Sequence, residues 1–284
     1  MHSKENQTII LSDGRKLGFA EYGDTRGKAI LICHGWPGSR LGMNKFNKIA
    51  HDLHLHLISI DRPGYGLSDF KKNRTLLDWV NDVEELVTKL QLNKFAILGI
   101  SGGAPYAAVC AYKMPKQITK LGIVSGVGPT IDEVIKDNDR VWRFLIKQYA
   151  KKPYLATIGT EIHYIESKFF PKLFFKWYKR KFDKQILTKD ILNQIAINKK
   201  EAFRNGIKGA KHDLILYSSD WGFNLKNIKT KTFLWYGEVD TLVPASVGKY
   251  YASKIKSSQL YIYPKEAHST FIAHAEEIFK ELAK

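Results

Sequence analysis

The amino-acid sequence predicts an α/β protein with a doubly wound parallel sheet, and three observations support this prediction. Short, continuous apolar runs recur along the chain, as is typical of parallel strands that are covered on both faces. Stretches with helical spacing separate these runs, so that strand and helix alternate. The chain has 284 residues with 44% hydrophobic and 12% aromatic content, which is enough to bury the core of one large domain.

The first predicted element is a β-hairpin, because two extended runs within residues 8–23 flank the Asp-Gly pair at 13–14. Six later apolar runs predict further strands, at residues 29–33, 55–60, 95–98, 121–124, 232–236 and 260–263. Residues 76–90 carry an apolar stripe at helical spacing, with acids in the first half and a lysine near the end. This pattern indicates an amphipathic helix that packs on the sheet.

The alternation of strand and helix breaks between residues 126 and 229, in a long aromatic and basic stretch without a clear buried strand. We therefore predict a core built from residues 1–125 and 230–284 and a helical cap inserted at 126–229, between the sixth and seventh strands. Aromatic side chains at helical spacing are more often packed core than a substrate cage, although together they also favour an apolar roof over a site. The aromatic residues of the predicted cap include Trp142, Phe144, Tyr149, Tyr154, Tyr164, Phe169, Phe170, Phe174, Phe175, Trp177 and Tyr178.

The chain is strongly basic, with a formal net charge of +17 from 45 basic and 28 acidic residues. Only nine of the basic residues are arginine, and contacts to bases and phosphates favour arginine forks, so we expect no nucleic-acid partner. Residues 126–231 hold 22 basic and 11 acidic side chains and thus carry +11 of the total charge. A solvated lysine-rich surface explains this excess, and an anionic partner surface is the alternative.

Neither the cysteines nor the apolar runs predict a secreted or membrane-spanning protein. Cys33 and Cys110 lie in apolar element patterns, which favours packing in a reducing compartment over a disulfide or a metal site. The first residues lack the apolar core of a signal peptide, and no apolar run approaches the roughly eighteen residues of a membrane span. We therefore expect a cytoplasmic protein. Residues 169–180 mix bulky aromatic side chains with cations, so contact with a membrane surface is the alternative to an ordinary cap helix.

Residues 99–103, Gly-Ile-Ser-Gly-Gly, follow a predicted strand and precede a helix pattern of small residues. A serine in such a tight turn projects its hydroxyl outward, and the glycines at 99 and 103 allow close approach of the neighbouring strand and helix. The helix N-terminus also offers N–H groups and a positive dipole end to a developing anion. We interpret Ser101 as a nucleophile rather than as an ordinary turn residue.

A serine nucleophile needs a base and an acid that orients this base. His268 is the predicted base, because it follows the last predicted strand and should emerge at the same sheet edge as Ser101. Asp240 is the predicted acid, because it lies in the loop after the preceding strand. The alternatives for the acid are Glu238, Asp213 and Asp220.

The negative oxygen of the tetrahedral intermediate needs two backbone donors that point at one place. Gly102 follows the nucleophile and offers the first N–H. Residues 34–39, His-Gly-Trp-Pro-Gly-Ser, follow the predicted strand at 29–33. Pro37 has no N–H, so the N–H of Trp36 is the predicted second donor of this oxyanion hole. A plain Pro-Gly turn is the alternative.

These motifs, with residues 61–69, Asp-Arg-Pro-Gly-Tyr-Gly-Leu-Ser-Asp, resemble the α/β-hydrolase superfamily in its serine-nucleophile branch. The resemblance covers nearly the whole chain outside the predicted cap. It implies a mostly parallel eight-stranded sheet with an inserted helical cap, and a chiefly structural loop at 61–69. For the site, it implies a triad of Ser101, His268 and Asp240 and an oxyanion hole of Trp36 and Gly102. The serine argues against the haloalkane dehalogenase and epoxide hydrolase branches, which use an aspartate nucleophile.

The chain departs from the family pattern at Ala267, where relatives commonly have a glycine before the histidine. We predict a carboxylesterase-like serine hydrolase without a metal or organic cofactor, which cleaves a small-to-medium, largely apolar ester or related acyl compound. A proline iminopeptidase-like aminopeptidase is the alternative within the same chemistry. It needs cap acids for the free amine of its substrate, such as Glu161, Glu166 or Glu201, and the positive charge of the cap argues against it. A non-catalytic ligand-binding module on the same fold is the alternative from another class.

Overall fold

A computed structural model describes residues 4–170 and 186–284 of the chain. Eight strands form one sheet in the order β1-β2-β4-β3-β5-β6-β7-β8. Their bounds are β1 Lys4–Ile10, β2 Lys16–Gly23, β3 Lys28–Cys33, β4 Leu55–Ile60, β5 Phe95–Ile100, β6 Ile118–Val124, β7 Lys231–Gly237 and β8 Ser258–Tyr263. β2 pairs antiparallel with β1 and β4, and the other neighbouring pairs are parallel. The predicted hairpin and the mostly parallel eight-stranded sheet are thus confirmed.

Helices connect and cover these strands. The α-helices of the described residues are α1 Asn47–Asp52, α2 Asp78–Lys89, α3 Ala104–Lys113, α4 Asp132–Ile135, α5 Arg140–Gln148, α6 Pro153–Phe169, α7 Lys189–Ala202, α8 Lys208–Tyr217, α9 Ala245–Lys254 and α10 Thr270–Ala283. Short 3-10 helices lie at Arg40–Phe46, Ser101–Gly103 and Leu225–Asn227. Helices α4 to α8 lie between β6 and β7 in the sequence, and in this interval the described residues hold no strand. The boundaries of the cap at 126–229 stay a prediction.

The core lies on both faces of the sheet. Leu31 and Ile32 are neighbours on β3 but belong to different apolar clusters, because successive side chains of a strand point to opposite faces. One cluster includes buried residues of α2, α3 and α9, and the other includes residues of α1 and α10. β4 is buried at every position, but β8 is only partly buried, because β8 lies at one edge of the sheet. The expectation of burial on both faces is therefore wrong for the last predicted strand.

The sheet brings distant parts of the sequence to one edge. Strands β3, β5, β7 and β8 run in the same direction, so the loops that follow them meet at the carboxyl edge of the sheet. These loops begin after Cys33, Ile100, Gly237 and Tyr263. Each of them carries a residue that the sequence predicts to be catalytic or to form the oxyanion hole.

Part of the chain lies outside the described residues. The aromatic and basic segment at 169–180 falls there from residue 171 onward, with Phe174, Phe175, Trp177 and Tyr178, so membrane-surface contact stays a prediction. Within 4–170 and 186–284, the helices are too short or too polar to cross a bilayer.

Candidate active site

Ser101 lies where β5 passes into α3, at the start of the 3-10 helix Ser101–Gly103. Its φ is +50°, a conformation that costs a residue with a side chain about 1 to 3 kcal/mol. A Cβ on Gly103 would lie 2.0 Å from the carbonyl oxygen of Cys33, and a Cβ on Gly99 would lie 2.7 Å from the Cα of Ala104. The turn around the serine therefore needs glycine at both positions, as the sequence predicts.

The three predicted catalytic side chains form one hydrogen-bonded chain. The hydroxyl of Ser101 lies 3.1 Å from Nε2 of His268, and Nδ1 of His268 lies 2.6 Å from Oδ2 of Asp240. Because a carboxylate only accepts hydrogen bonds, Nδ1 donates to Asp240 and Nε2 accepts from Ser101. In this tautomer the imidazole is oriented to remove the serine proton.

Asp240 is held in place by its own loop. Its Oδ1 accepts hydrogen bonds from the N–H groups of Leu242 at 2.8 Å and Val243 at 2.9 Å, and its side chain is wholly buried. The carboxylate therefore has one oxygen on the backbone and the other on His268. This arrangement fixes the orientation of the histidine ring.

The alternative acids have other partners. Glu238 Oε2 accepts from the N–H of Lys265 at 3.2 Å. Asp220 Oδ1 accepts from the N–H of Gly222 at 2.9 Å. Asp213 lies in a buried cluster of its own. Of the four candidate acids, Asp240 is thus the one hydrogen-bonded to His268 in the structure.

The two predicted oxyanion-hole residues lie next to each other. The backbone nitrogen of Trp36 lies 3.2 Å from the position that a Cβ on Gly102 would take. A Cβ on Gly35 would lie 3.5 Å from the Cβ of Ser101. The loop after β3 therefore contacts the serine turn, and the predicted donors Trp36 and Gly102 are both close to the serine.

Asp213 on α8 is the centre of a buried polar cluster that sequence reasoning missed. Its Oδ2 accepts from Nε of Arg62 at 2.9 Å and from the hydroxyl of Tyr65 at 2.7 Å. Its Oδ1 accepts from the hydroxyl of Tyr106 at 2.5 Å and from Arg74. Burial raises the pKa of Asp213, but the guanidinium groups of Arg62 and Arg74 outweigh burial and hold this pKa well below its usual range.

This cluster also supports the loop that carries Trp36. Arg62 donates to the carbonyl oxygen of His34 and, at 3.3 Å, to that of Gly35. The indole Nε1 of Trp36 donates to the carbonyl oxygen of Ala210 on α8 at 2.8 Å. The loop is therefore anchored to α8 both through Arg62 and Asp213 and directly through the indole.

A cavity of about 630 Å³ opens onto Ser101 and His268. Much of its wall is apolar and comes from helices between β6 and β7, with Trp142 and Leu145 from α5 and Ile191 and Ile195 from α7. Its volume lies within the range of about 300 to 1,000 Å³ that is typical of small-molecule sites. The observed apolar wall agrees with the apolar roof that the aromatic sequence of this region favours.

No metal centre is found in the described part of the chain, where no group of three or more His, Cys, Asp or Glu side chains is arranged to hold an ion. Cys33 and Cys110 are buried free thiols. Burial raises the pKa of the Cys33 thiol to about 12, which opposes formation of the reactive thiolate. Burial therefore disfavours Cys33 as a nucleophile.

The family model described as alpha/beta hydrolase fold matches residues 28–275. The chain therefore belongs to the α/β-hydrolase family. It is 31% identical over 147 residues to an uncharacterized hydrolase of Saccharomyces cerevisiae, a match that covers 50% of this chain and 48% of that protein. It is also 31% identical over 121 residues to a proline iminopeptidase of Xylella fastidiosa, covering 41% of this chain and 38% of that protein. These matches span about half or less of either relative.

The same fold is present in solved structures. An esterase from Exiguobacterium antarcticum superimposes with a TM-score of 0.70 at 19% identity, over 98% of this chain and 97% of that chain. At this identity the similarity shows the shared fold alone.

Proposed function

We propose that the protein is a carboxylesterase-like serine hydrolase that cleaves a small-to-medium, largely apolar ester through an acyl-enzyme on Ser101. The observation that carries the proposal is the hydrogen-bonded chain from Ser101 through His268 to Asp240. This chain meets a largely apolar cavity of about 630 Å³. A largely apolar wall favours an acyl group or alcohol with little polarity.

In the proposed reaction, Oγ of Ser101 attacks the ester carbonyl while Nε2 of His268 takes the hydroxyl proton. The N–H groups of Trp36 and Gly102 stabilise the negative oxygen of the tetrahedral intermediate. His268 then gives the proton to the departing alcohol, which leaves the acyl group on Ser101. Water, deprotonated by the same histidine, cleaves the acyl-enzyme and releases the carboxylic acid.

Two of the three acids that the sequence offers for an amine site, Glu166 and Glu201, argue against an aminopeptidase. Glu166 lies 3.3 Å from Nδ1 of His163 and 3.6 Å from Nζ of Lys199. Glu201 lies 2.6 Å from a guanidinium nitrogen of Arg40. Both carboxylates therefore have basic partners already, which disfavours a role in binding the free amine of a peptide substrate.

The cavity wall itself is poor in acids. Of the acidic side chains outside the site triad in residues 4–170 and 186–284, only Asp139 lines the cavity. Its Oδ1 accepts from the N–H groups of Val141 at 3.0 Å and Trp142 at 3.3 Å, and it thereby caps α5. One capping carboxylate is not the acidic cluster that an aminopeptidase needs, so an ester substrate is favoured.

A fluorophosphonate probe and a series of para-nitrophenyl esters test the proposal. We expect the probe to label the protein and the esters to be hydrolysed, and both activities to disappear in Ser101→Ala. Ser125→Ala is the matched control, because Ser125 lines the same cavity and should keep labelling and turnover. Equal labelling of Ser101→Ala and the native protein, or no labelling of either, would refute the proposal.

The same assay separates the two alternative functions. Turnover of prolyl para-nitroanilide without turnover of any ester would favour the aminopeptidase. Saturable binding of an ester or its acid, with no turnover and no labelling by the probe, would favour a ligand-binding module.

A further inference from the structure

Lys45 places a cation in the wall of the otherwise largely apolar cavity. It belongs to the 3-10 helix Arg40–Phe46, and its ammonium lies 4.6 Å from the centre of the Phe46 ring. The Phe46 ring contacts that of Phe271, with a centroid distance of 5.0 Å. Phe46 and Phe271 also line the cavity, and Phe271 follows His268 by three residues. Lys45 therefore lines the same cavity as Ser101 and His268, and its ammonium lies against the ring of a neighbour in that wall.

Lys45 has no acidic partner among the described residues. No carboxylate oxygen within 4–170 and 186–284 lies within 4.0 Å of its ammonium. Burial lowers the pKa of Lys45 to about 8, and no charge among the described residues contributes to this shift. The ammonium is therefore partly removed from water without a compensating anion from residues 4–170 and 186–284, and Lys45 is still mostly protonated near pH 7.

A second lysine in the same wall has a carboxylate partner, as buried ammonium groups usually do. Lys199 also lines the cavity and is almost fully buried, but the carboxylate of Glu166 lies 3.6 Å from its ammonium. Burial lowers the pKa of Lys199 to about 8 as well, with Glu166 opposing the shift. Among the residues that the structure describes, the cavity thus has one lysine with a carboxylate within 4.0 Å and one without.

A buried ammonium without an anion is costly, and a carboxylate relieves this cost through Coulomb attraction and a charge-assisted hydrogen bond. The charged partner of Lys199 comes from the protein. For Lys45, the described residues supply none, while the cavity leaves room for a bound molecule. A bound molecule that carries an anion would supply the charge that the described residues do not.

We propose that the substrate carries a carboxylate that the ammonium of Lys45 binds inside the cavity while the ester carbonyl lies at Ser101. This inference rests on the proposed hydrolase function and specifies its substrate class, an otherwise apolar ester with one carboxylate. The carboxylate belongs either to the acyl half or to the alcohol half of the ester. In either half, the carboxylate can form the same ion pair with the ammonium of Lys45.

Two pairs of substrates distinguish these halves at about pH 7. In the first pair, the para-nitrophenyl half-ester of adipic acid is compared with para-nitrophenyl heptanoate. In the second pair, the hexanoyl ester of para-hydroxybenzoate is compared with that of para-hydroxybenzamide. One of the two pairs carries its carboxylate in the half of the ester that Lys45 binds. For that pair, we expect kcat/KM to be about tenfold or more higher for the carboxylate substrate than for its neutral partner.

The ratio of kcat/KM within a pair is then measured in variants. Lys45→Met keeps the length of the apolar stem and removes the charge, and we expect it to bring the ratio close to one. Lys45→Arg keeps the charge and should retain a preference for the carboxylate. Lys48→Met is the matched control, because Lys48 is exposed on α1 and paired with Asp52, and its ratio should equal that of the native protein. A native ratio near one in both pairs, or a preference that survives in Lys45→Met, would overturn the proposal.

The two proposals fail in different ways. If neutral esters are hydrolysed in a manner that depends on Ser101 but the carboxylate preference is absent, only the role of Lys45 is wrong. If no ester is hydrolysed and the fluorophosphonate probe does not label Ser101, the hydrolase proposal itself is wrong.

Discussion

The hydroxyl of Tyr217 donates a hydrogen bond to the carbonyl oxygen of Gly102 at 2.8 Å, and it lies 3.3 Å from Oδ2 of Asp213. Tyr217 is the last residue of α8, and Gly102 is a predicted oxyanion-hole donor. The Asp213 cluster therefore supports both predicted donors, since its Arg62 donates to the carbonyl oxygen of Gly35 in the loop of Trp36. A helix between β6 and β7 thus supports the backbone on which the proposed catalysis depends.

Tyr217→Phe tests this support. Loss of the hydroxyl leaves the carbonyl of Gly102 without this donor, so we expect kcat to fall about tenfold with little change in KM, because the oxyanion donors lose their alignment. The free energy of unfolding should fall by only about 1 kcal/mol, which is the usual contribution of one hydrogen bond. Steady-state kinetics and urea unfolding measure the two effects. Tyr154→Phe, at an exposed position on α6, should change neither, and an unchanged kcat in Tyr217→Phe would contradict the prediction.

Asp240→Asn tests the orienting acid. The amide cannot accept from Nδ1–H with the strength of a carboxylate and favours the wrong tautomer of His268, so we expect kcat to fall roughly a thousandfold or more. Hydrolysis of a para-nitrophenyl ester measures the loss. Glu238→Gln is the control in the same loop and should keep near-native activity. A comparable loss of kcat in both variants would contradict the prediction, because it would show that activity depends on the loop as a whole and not on the carboxylate of Asp240.

Asp213→Asn tests the stability of the buried cluster. Removal of the carboxylate leaves the cations of Arg62 and Arg74 buried without their anion, so we expect a loss of about 3 to 5 kcal/mol in the free energy of unfolding near pH 7. Denaturant unfolding monitored by circular dichroism measures this loss. Asp220→Asn, at an exposed position, should change stability by less than about 0.5 kcal/mol.

The stability difference between the native protein and Asp213→Asn should also depend on pH. The pKa of Asp213 in the folded protein is lower than 3.8, the reference value for an aspartate that the fold does not perturb. Its stabilisation is therefore fully present above that reference and is lost as pH falls toward the folded-state value. We expect the difference to stay constant between about pH 5 and pH 7 and to shrink below about pH 4. A difference that grows on acidification would show that Asp213 is not held as the carboxylate.

Gly103→Ala and Gly159→Ala form a matched pair. An added Cβ on Gly103 meets the carbonyl oxygen of Cys33 at 2.0 Å, which forces backbone to move, so we expect a loss of at least about 2 kcal/mol or an insoluble protein. On Gly159, within α6, the nearest atom is 3.5 Å away. Alanine should there leave stability unchanged or raise it by up to about 1 kcal/mol. Thermal unfolding compares the two, and equal melting temperatures would refute the packing argument.

Several elements of the protein follow from local sequence patterns. A continuous apolar run has the same meaning wherever it occurs, so strands such as β3 and β7 and the helix α2 were predictable within a few residues. The candidate triad was predictable because parallel strands end at one edge, which brings the loops after β5, β7 and β8 together. The partial exposure of β8 was not predictable, because an apolar run does not indicate whether its strand lies at the edge or in the centre of the sheet.

The sequence by itself determined the class of fold, the serine turn and the histidine and aspartate that the structure places beside it, because each of these is recorded in residues that are close along the chain. Only the tertiary structure decided the partners of Asp213 and the position of Lys45. Asp213 meets Arg62, Tyr65 and Tyr106 across more than a hundred residues. Lys45 is one lysine among 36 until the fold places it in the cavity without an acidic neighbour in the described residues. Such contacts depend on which distant parts of the chain pack together, and local sequence periodicity does not predict this packing.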